Sequence, residues 1–308
     1  MEEKETLEYT APAAESEPAP APQPSAGTMA RTFSRMGFVL CLGMLAAQLL
    51  PLALKAIPGF DIQAHAFLVG GLCTGLITLP MMILFTRSAP ARQPDRNGLR
   101  FKGFLALICI SYAAMIAGNL IGMGVNTLLS PKSVDLISNM ISTEETSIVE
   151  KIVGLAILAP VFEELVFRKV LVDRVLPYGE WPAILFSGLT FGLFHGNLVQ
   201  LFYAAMLGFI LAYVYIRTGN IFYTMGIHAF INFTSVIVSL APFLSILSFS
   251  MLVAGVVLFF VLRKQIRVEK NAVPGVGGAM FGNAGMILFL ILSVGMLALV
   301  AVGMNRMA

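Results

Sequence analysis

Charged residues, histidines and cysteines are all scarce in this chain, and each shortage excludes a class of protein. Only 12% of the 308 residues are charged and 57% are hydrophobic, a balance that excludes an ordinary soluble domain. The three cysteines, Cys41, Cys73 and Cys109, lie in separate apolar runs, which argues against a disulfide framework or a cysteine metal site. The net charge of +3 gives no sign of a nucleic-acid partner, and we expect none.

Long apolar windows are what the sequence does contain. Crossing the hydrocarbon core of a bilayer takes about 20 residues of α-helix. Windows near this length lie at 36–54, 65–86, 104–129, 148–171, 181–197, 199–216, 220–240, 244–262 and 281–304. This pattern predicts an all-α, polytopic membrane helix bundle with eight or nine transmembrane helices, depending on how the short windows are counted.

The positions of the basic residues predict the orientation of the helices. Arg31 and Arg35 precede the first window, a second basic group lies within 87–102, and a third lies within 263–270. Cytoplasmic loops carry an excess of Lys and Arg, and nine spans with a cytoplasmic N-terminus place all three groups on that side. We therefore expect an integral, multi-pass membrane protein whose N-terminus is cytoplasmic.

Two neighbouring glutamates, Glu163 and Glu164, interrupt the fourth apolar window. An ionised residue at the bilayer centre costs about 2.5–3.5 kcal/mol on insertion scales, so the doublet needs a partner or a function. Glu164 and Arg168 share a helix face, which allows an ion pair that holds the helix in place, in a structural or a direct role. Glu163 points about 100° away from that face. Upstream, Pro160 removes a backbone hydrogen bond and allows a kink.

Two of the three histidines also lie inside apolar windows. His195 ends the segment Phe191-Gly-Leu-Phe-His195, where small residues allow close approach of helices. His228 precedes Asn232 by four residues, so both can point at one substrate oxygen from the same helix face. Straight helices at 1.5 Å per residue would offset the two histidines in depth by about 9 Å, which tilts or a re-entrant turn could close.

These side chains suit acyl transfer to water inside the membrane. The reaction needs a base for water, donors for the oxyanion and a site that limits access of bulk water. We assign Glu163 as the base and His195 as its partner in positioning the water or moving the proton. His228 and Asn232 are assigned as the oxyanion stabilisers.

Three motifs therefore follow one another on three separate helices. In chain order they are Glu163-Glu164-x-x-x-Arg168, Phe191-x-x-x-His195 and His228-x-x-x-Asn232. Together they resemble the motifs of the CAAX-protease and bacteriocin-processing (CPBP, Abi) family, which includes the Rce1-type prenyl proteases. The resemblance implies an all-helical membrane bundle and a glutamate-dependent intramembrane endopeptidase, which cuts near the C-terminus or leader of a small or lipidated protein. The catalytic residues implied are Glu163, His195, His228 and Asn232, and the supporting residues are Glu164, Arg168 and Phe191.

The resemblance covers one of four predicted regions. These are a disordered, acidic, Pro/Ala-rich cytoplasmic tail (1–32), N-terminal transmembrane helices with their loops (33–147), the catalytic helical core (148–240) and C-terminal transmembrane helices (241–308). The tail is predicted to be disordered because its glutamates and Ala-Pro repeats cannot bury a core.

Cofactor use separates the alternatives. We expect no cofactor and, as partners, the lipid bilayer and a membrane-associated protein or peptide, which can be prenylated. The second hypothesis is a zinc protease with Glu163, His195 and His228 as ligands. Glu164 would then be the base, and its tie to Arg168 argues against that role. The third is a non-catalytic bacteriocin-immunity or scaffold protein, or a proton-coupled transporter, although we find no internal repeat.

Overall fold

The computed structural model describes residues 24–129 and 146–307, and all regular structure in these residues is helical. The helices are α1 (Ala26–Lys55), α2 (Ala66–Thr86), α3 (Phe101–Leu129), α4 (148–175), α5 (Glu180–Phe194), α6 (Leu198–Thr218), α7 (Ile221–Leu240), α8 (Ser245–Leu262), α9 (Val276–Phe281) and α10 (Ala284–Met307). Short 3-10 turns follow α4, α7 and α8, at Leu176–Tyr178, Pro242–Leu244 and Arg263–Gln265.

Seven helices of the described residues are long and apolar enough to cross a membrane, namely α1, α2, α3, α6, α7, α8 and α10. The predicted all-α, polytopic membrane bundle is therefore confirmed. The two other predicted windows coincide with α4, which carries the glutamate doublet, and α5. The 15 residues of α5 reach about 22 Å, less than the hydrocarbon thickness of about 30 Å. The expected count of eight or nine spans thus depends on these two helices.

The first helix begins inside the predicted tail. The sequence predicts a tail up to residue 32, but α1 begins at Ala26. The Ser25 hydroxyl accepts a hydrogen bond from the Thr28 backbone N–H at 3.2 Å and caps the helix. Met29 and Phe33 are buried, so packing holds this first turn in the bundle and the boundary is corrected. The rest of the predicted tail, residues 1–23, lies outside the described residues.

Within the described residues, two apolar cores hold the bundle together, and α6 contributes to both. One joins α6 to α1, α4, α5 and α10 through side chains such as Phe33, Phe167 and Phe186. The other joins α6 to α3, α7 and α8 through side chains such as Tyr112 and Leu211. The helices that carry the three motifs, α4, α5 and α7, are therefore packed around one common helix.

The basic segments lie at one end of the bundle. Arg35 of α1 donates a hydrogen bond to Ser88, just after α2, at 2.6 Å. Asn97 of the same loop donates to the Arg217 carbonyl at the end of α6, at 3.2 Å. Arg217 in turn donates to the Arg267 carbonyl beyond α8 at 2.6 Å. All three basic groups thus share one end, as the orientation predicted from them requires, and the cytoplasmic location of that end stays a prediction.

Helix α4 changes its winding on both sides of the glutamate doublet. Lys151–Leu158 and Leu165–Val172 are π-helical, whereas Ala159–Glu164 between them is α-helical. Single π turns in helices are frequent at functional sites. Helix α2 packs against this region so closely that a methyl group at Gly75 would lie 2.7 Å from the Phe162 ring. Glu163 and Glu164 therefore lie on an irregularly wound helix against which α2 packs closely.

Candidate active site

Helix α4 directs the two glutamates into different surroundings, as the 100° helical rotation between neighbours predicts. The Glu164 side chain is fully buried, with 0% of its surface exposed. The Glu163 side chain keeps 17% of its surface exposed. Glu163 is therefore the acid of the doublet that a water molecule or a substrate can reach.

Glu164 forms a buried ion pair with Arg168. Arg168 Nη1 donates to Glu164 Oε1 at 2.8 Å, and Nη2 donates to the Gly208 carbonyl of α6 at 3.3 Å. The guanidinium also lies over the Phe191 ring of α5, 4.5 Å from the ring centre. The predicted ion pair is thus confirmed, and Arg168 connects α4 with both α5 and α6.

His228 of α7 lies between the two glutamates. Its Nδ1 is 2.9 Å from Glu164 Oε1, and its Nε2 is 3.7 Å from Glu163 Oε2. An ionised carboxylate accepts but cannot donate, so in this contact Nδ1 carries the proton and Nε2 is directed at Glu163. Sequence spacing assigns Glu164 to Arg168 alone, whereas the structure shows one carboxylate oxygen that bonds both Arg168 and His228.

His195 ends α5 and folds back along it. Its Nδ1 donates to the Phe191 carbonyl at 2.7 Å, because a carbonyl can only accept, and its Nε2 points to the opposite side of the ring. The His195 ring packs edge to face on the Phe191 ring at 4.9 Å, and His228 packs on the same ring at 5.7 Å. Phe191 thus contacts both imidazoles, so the depth offset expected for straight helices does not prevent the two rings from reaching one side chain.

Asn232 has a partner of its own. Its Nδ2 donates to the Leu155 carbonyl of α4 at 2.9 Å, while His228, one turn earlier on α7, contacts the glutamates. The structure thus places both side chains against α4, as the four-residue spacing predicts, but gives them separate partners. The predicted oxyanion role of Asn232 stays a prediction, and one of its amide hydrogens is already engaged.

The orientation of the imidazoles bears on the zinc hypothesis. Both histidines engage Nδ1, as metal-ligating histidines do when Nε2 binds the metal. Within residues 24–129 and 146–307, however, no three His, Cys, Asp or Glu side chains are grouped closely enough to hold a metal ion. A zinc site at Glu163, His195 and His228 would therefore need these side chains to move.

The segment that contains this site is similar to known proteins. Residues 146–234 match the family model described as Type II CAAX prenyl endopeptidase Rce1-like. This segment is therefore similar to the Rce1-like endopeptidases, and we call it the Rce1-like domain. The chain is also 26% identical over 196 residues to Putative membrane peptidase YdiL of Bacillus subtilis (strain 168), an alignment that covers 60% of this chain and 77% of that protein. No solved structure matches the chain significantly.

The Rce1-like domain includes all three motifs. The match confirms the resemblance of the motifs to the CAAX-protease and bacteriocin-processing family. Together with the seven apolar helices of the described residues, it supports an integral, multi-pass membrane protein that contains a domain similar to membrane proteases. The substrate class of such a family is a membrane-associated protein, and its setting is the lipid bilayer.

Two hydrogen bonds in the Rce1-like domain could not be predicted from the sequence. The carbonyls of Leu155 and Gly208 bond the side chains of Asn232 and Arg168, respectively. A backbone carbonyl is present in every residue type, so no motif marks the positions that supply it. The bond between Asn232 and the Leu155 carbonyl does have one signal in the sequence. Pro160, five residues after Leu155, has no N–H that could bond this carbonyl.

Glycine lets α5 and α6 approach closely in the Rce1-like domain. A methyl group at Gly192 would lie 2.4 Å from the Leu201 carbonyl, a backbone atom that cannot rotate away. We expect Gly192→Ala to push α5 off α6, to destabilise the protein by about 1–3 kcal/mol and to lower activity by displacing Phe191. Thermal unfolding in detergent measures the effect. The control is Gly124→Ala of α3, where a methyl group has no neighbour within 4 Å, and equal unfolding temperatures for the two variants would contradict the close approach.

Proposed function

We propose that the chain is an intramembrane glutamic endopeptidase in which Glu163 activates a water molecule for attack on a peptide carbonyl. The observation that carries this proposal is the different surroundings of the two acids. Glu164 is fully buried and bonded to Arg168 and His228. Glu163 is partly exposed, and the His228 Nε2 lies 3.7 Å from its carboxylate. The second acid is thus occupied in holding the site, which leaves the first to act as the base.

The proposed oxyanion role of His228 needs a hydrogen-bond donor at Nε2. Its Nδ1 already donates to Glu164, and an imidazole carries a proton on both nitrogens only in its charged form. In this proposal His228 therefore acts as an imidazolium, which donates through Nδ1 to Glu164 and presents Nε2–H to the oxyanion that forms on attack.

His195 supplies the second proton-handling group. Because its Nδ1–H is held by the Phe191 carbonyl, the Nε2 of the neutral ring is an acceptor that can orient water for Glu163. Glu163 takes one proton from the water, and the resulting hydroxide attacks the carbonyl. When the C–N bond of the tetrahedral intermediate breaks, that proton passes from Glu163, directly or through His195, to the departing amine.

For the substrate, we propose a membrane-associated protein with a prenylated C-terminal peptide. The description of the matched family names CAAX prenyl endopeptidases, and this supports the choice of peptide. We further propose that the basic end of the bundle faces the cytoplasm, with the N-terminus, since positively charged segments are retained there. No cofactor is needed in this proposal.

A cleavage assay with and without a chelator tests the proposal. Purified protein is offered a prenylated C-terminal peptide, its unprenylated counterpart and a leader peptide. We expect cleavage of the prenylated peptide at an unchanged rate in the presence of chelator. Loss of activity on chelation with recovery on zinc addition would favour the zinc hypothesis, which the shared use of Nδ1 in both histidines keeps as the second candidate. Absence of cleavage of all three peptides would count for a non-catalytic protein.

A further inference from the structure

The Leu155 carbonyl of α4 depends on a donor from outside its own helix. At the end of the π-helical stretch, the Ala159 N–H donates to the Gly154 carbonyl, five residues back. The next N–H in this register belongs to residue 160 and would reach Leu155, but Pro160 has no N–H. The Asn232 side chain fills the gap, with its Nδ2 at 2.9 Å from the Leu155 oxygen.

We propose that Asn232 is a positioning residue, which replaces the N–H missing at Pro160 and thereby fixes the short α-helical segment Ala159–Glu164 that carries the base Glu163. In this role Asn232 acts through the α4 backbone and needs no contact with the substrate. The inference departs from the oxyanion role that the spacing to His228 predicts. Its catalytic part rests on the proposed function, whereas its structural part does not.

The location of the gap explains why a specific donor is needed there. In a membrane interior, a backbone carbonyl without a donor has no water to bond and is strongly disfavoured. Without the Asn232 amide, α4 can satisfy the Leu155 carbonyl only by changing its winding between the π stretch and the doublet. Such a change rotates Glu163 away from His228, from which it is now 3.7 Å distant.

Restoring the missing N–H distinguishes the two roles of Asn232. Removal of the amide by Asn232→Ala harms the enzyme in either role. Pro160→Ala returns a backbone N–H at the position from which it can bond the Leu155 carbonyl. It therefore rescues Asn232→Ala if the amide serves α4, and it cannot do so if the amide serves the oxyanion, because the new N–H lies within the helix.

The experiment compares wild type, Asn232→Ala, Pro160→Ala and the double variant, as full-length protein in detergent. We expect Asn232→Ala to lower kcat about a hundredfold, the loss typical of a small misplacement of a reacting group, with little change in KM, and to lower the unfolding temperature. We expect the double variant to regain most of both losses. Ser235→Ala is the control on the same helix, since the Ser235 hydroxyl bonds the Ile231 carbonyl of α7 itself, and it is expected to leave kcat unchanged.

Each outcome decides one part of the inference. A double variant with the low unfolding temperature of Asn232→Ala overturns the inference as a whole, and this readout needs no substrate. A double variant that regains stability but not kcat overturns the positioning role in catalysis and supports the oxyanion role. If wild type cleaves no peptide, the proposed function fails, while the unfolding temperatures still test the link between Asn232 and Leu155.

Discussion

Glu163→Gln is expected to lower kcat by about 10²–10⁴-fold, the usual contribution of a positioned general base. Glutamine keeps the size of the side chain but cannot take a proton from water. Because Glu163 is the partly exposed acid and Glu164 holds the buried pair, we expect the variant to fold and unfold like wild type. Initial rates on the prenylated peptide and the unfolding temperature in detergent measure the two parts of this prediction.

The matched control for Glu163→Gln is Glu269→Gln. Glu269 is an exposed carboxylate in the segment after α8, and its loss changes the charge equally without touching the site. We expect the control to cleave at the wild-type rate. Cleavage by Glu163→Gln within a few-fold of the control would show that another group activates the water.

The second large effect is expected at Arg168, on stability. Arg168→Met is expected to destabilise the protein by about 3–5 kcal/mol, because it removes the guanidinium that pairs with the buried Glu164 carboxylate. Methionine preserves most of the apolar stem, so the loss reports the charge and its hydrogen bonds rather than an empty volume. Thermal or chemical unfolding of the detergent-purified variant gives the measurement.

A double variant separates the charge from the rest of the side chain. Glu164→Gln combined with Arg168→Met removes both charges and keeps an oxygen that can accept from His228 Nδ1. We expect the double variant to be more stable than Arg168→Met alone. Arg267→Met, at an exposed position beyond α8, controls for loss of a positive charge and should change stability by less than about 0.5 kcal/mol. A double variant less stable than either single variant would rule out an unpaired buried charge as the cause.

Much of the fold could be predicted because the bilayer imposes a simple requirement. A span must be apolar over a fixed length, so the windows can be read from the sequence, and each of the nine coincides with a helix of the structure. The start of α1 at Ala26 was not predictable from composition, since it depends on burial of Met29 and Phe33. The π-helical winding of α4 was not predictable either, because no residue pattern marks its two π-helical stretches.

The residues of the candidate site could be proposed from the sequence, whereas their contacts could be predicted only in part. Helical spacing pairs Glu164 with Arg168 and turns Glu163 away, since three and four residues along one helix set a fixed geometry. The bond between Glu164 and His228 joins residues on different helices, and the approach of those helices depends on the whole packing around α6. The same holds for Asn232, whose partner is a backbone carbonyl.

The sequence by itself determined that the chain lies in a membrane, that its described part is helical and that three motifs carry six polar side chains, which are the candidate catalytic groups. Hydropathy and local spacing suffice for these points because they concern single helices. Only the tertiary structure decided which acid is buried, that Phe191 contacts both imidazoles and that the Asn232 amide faces Leu155. These contacts join different helices, and they depend on how the side chains of those helices pack and on how the backbone of each helix is wound.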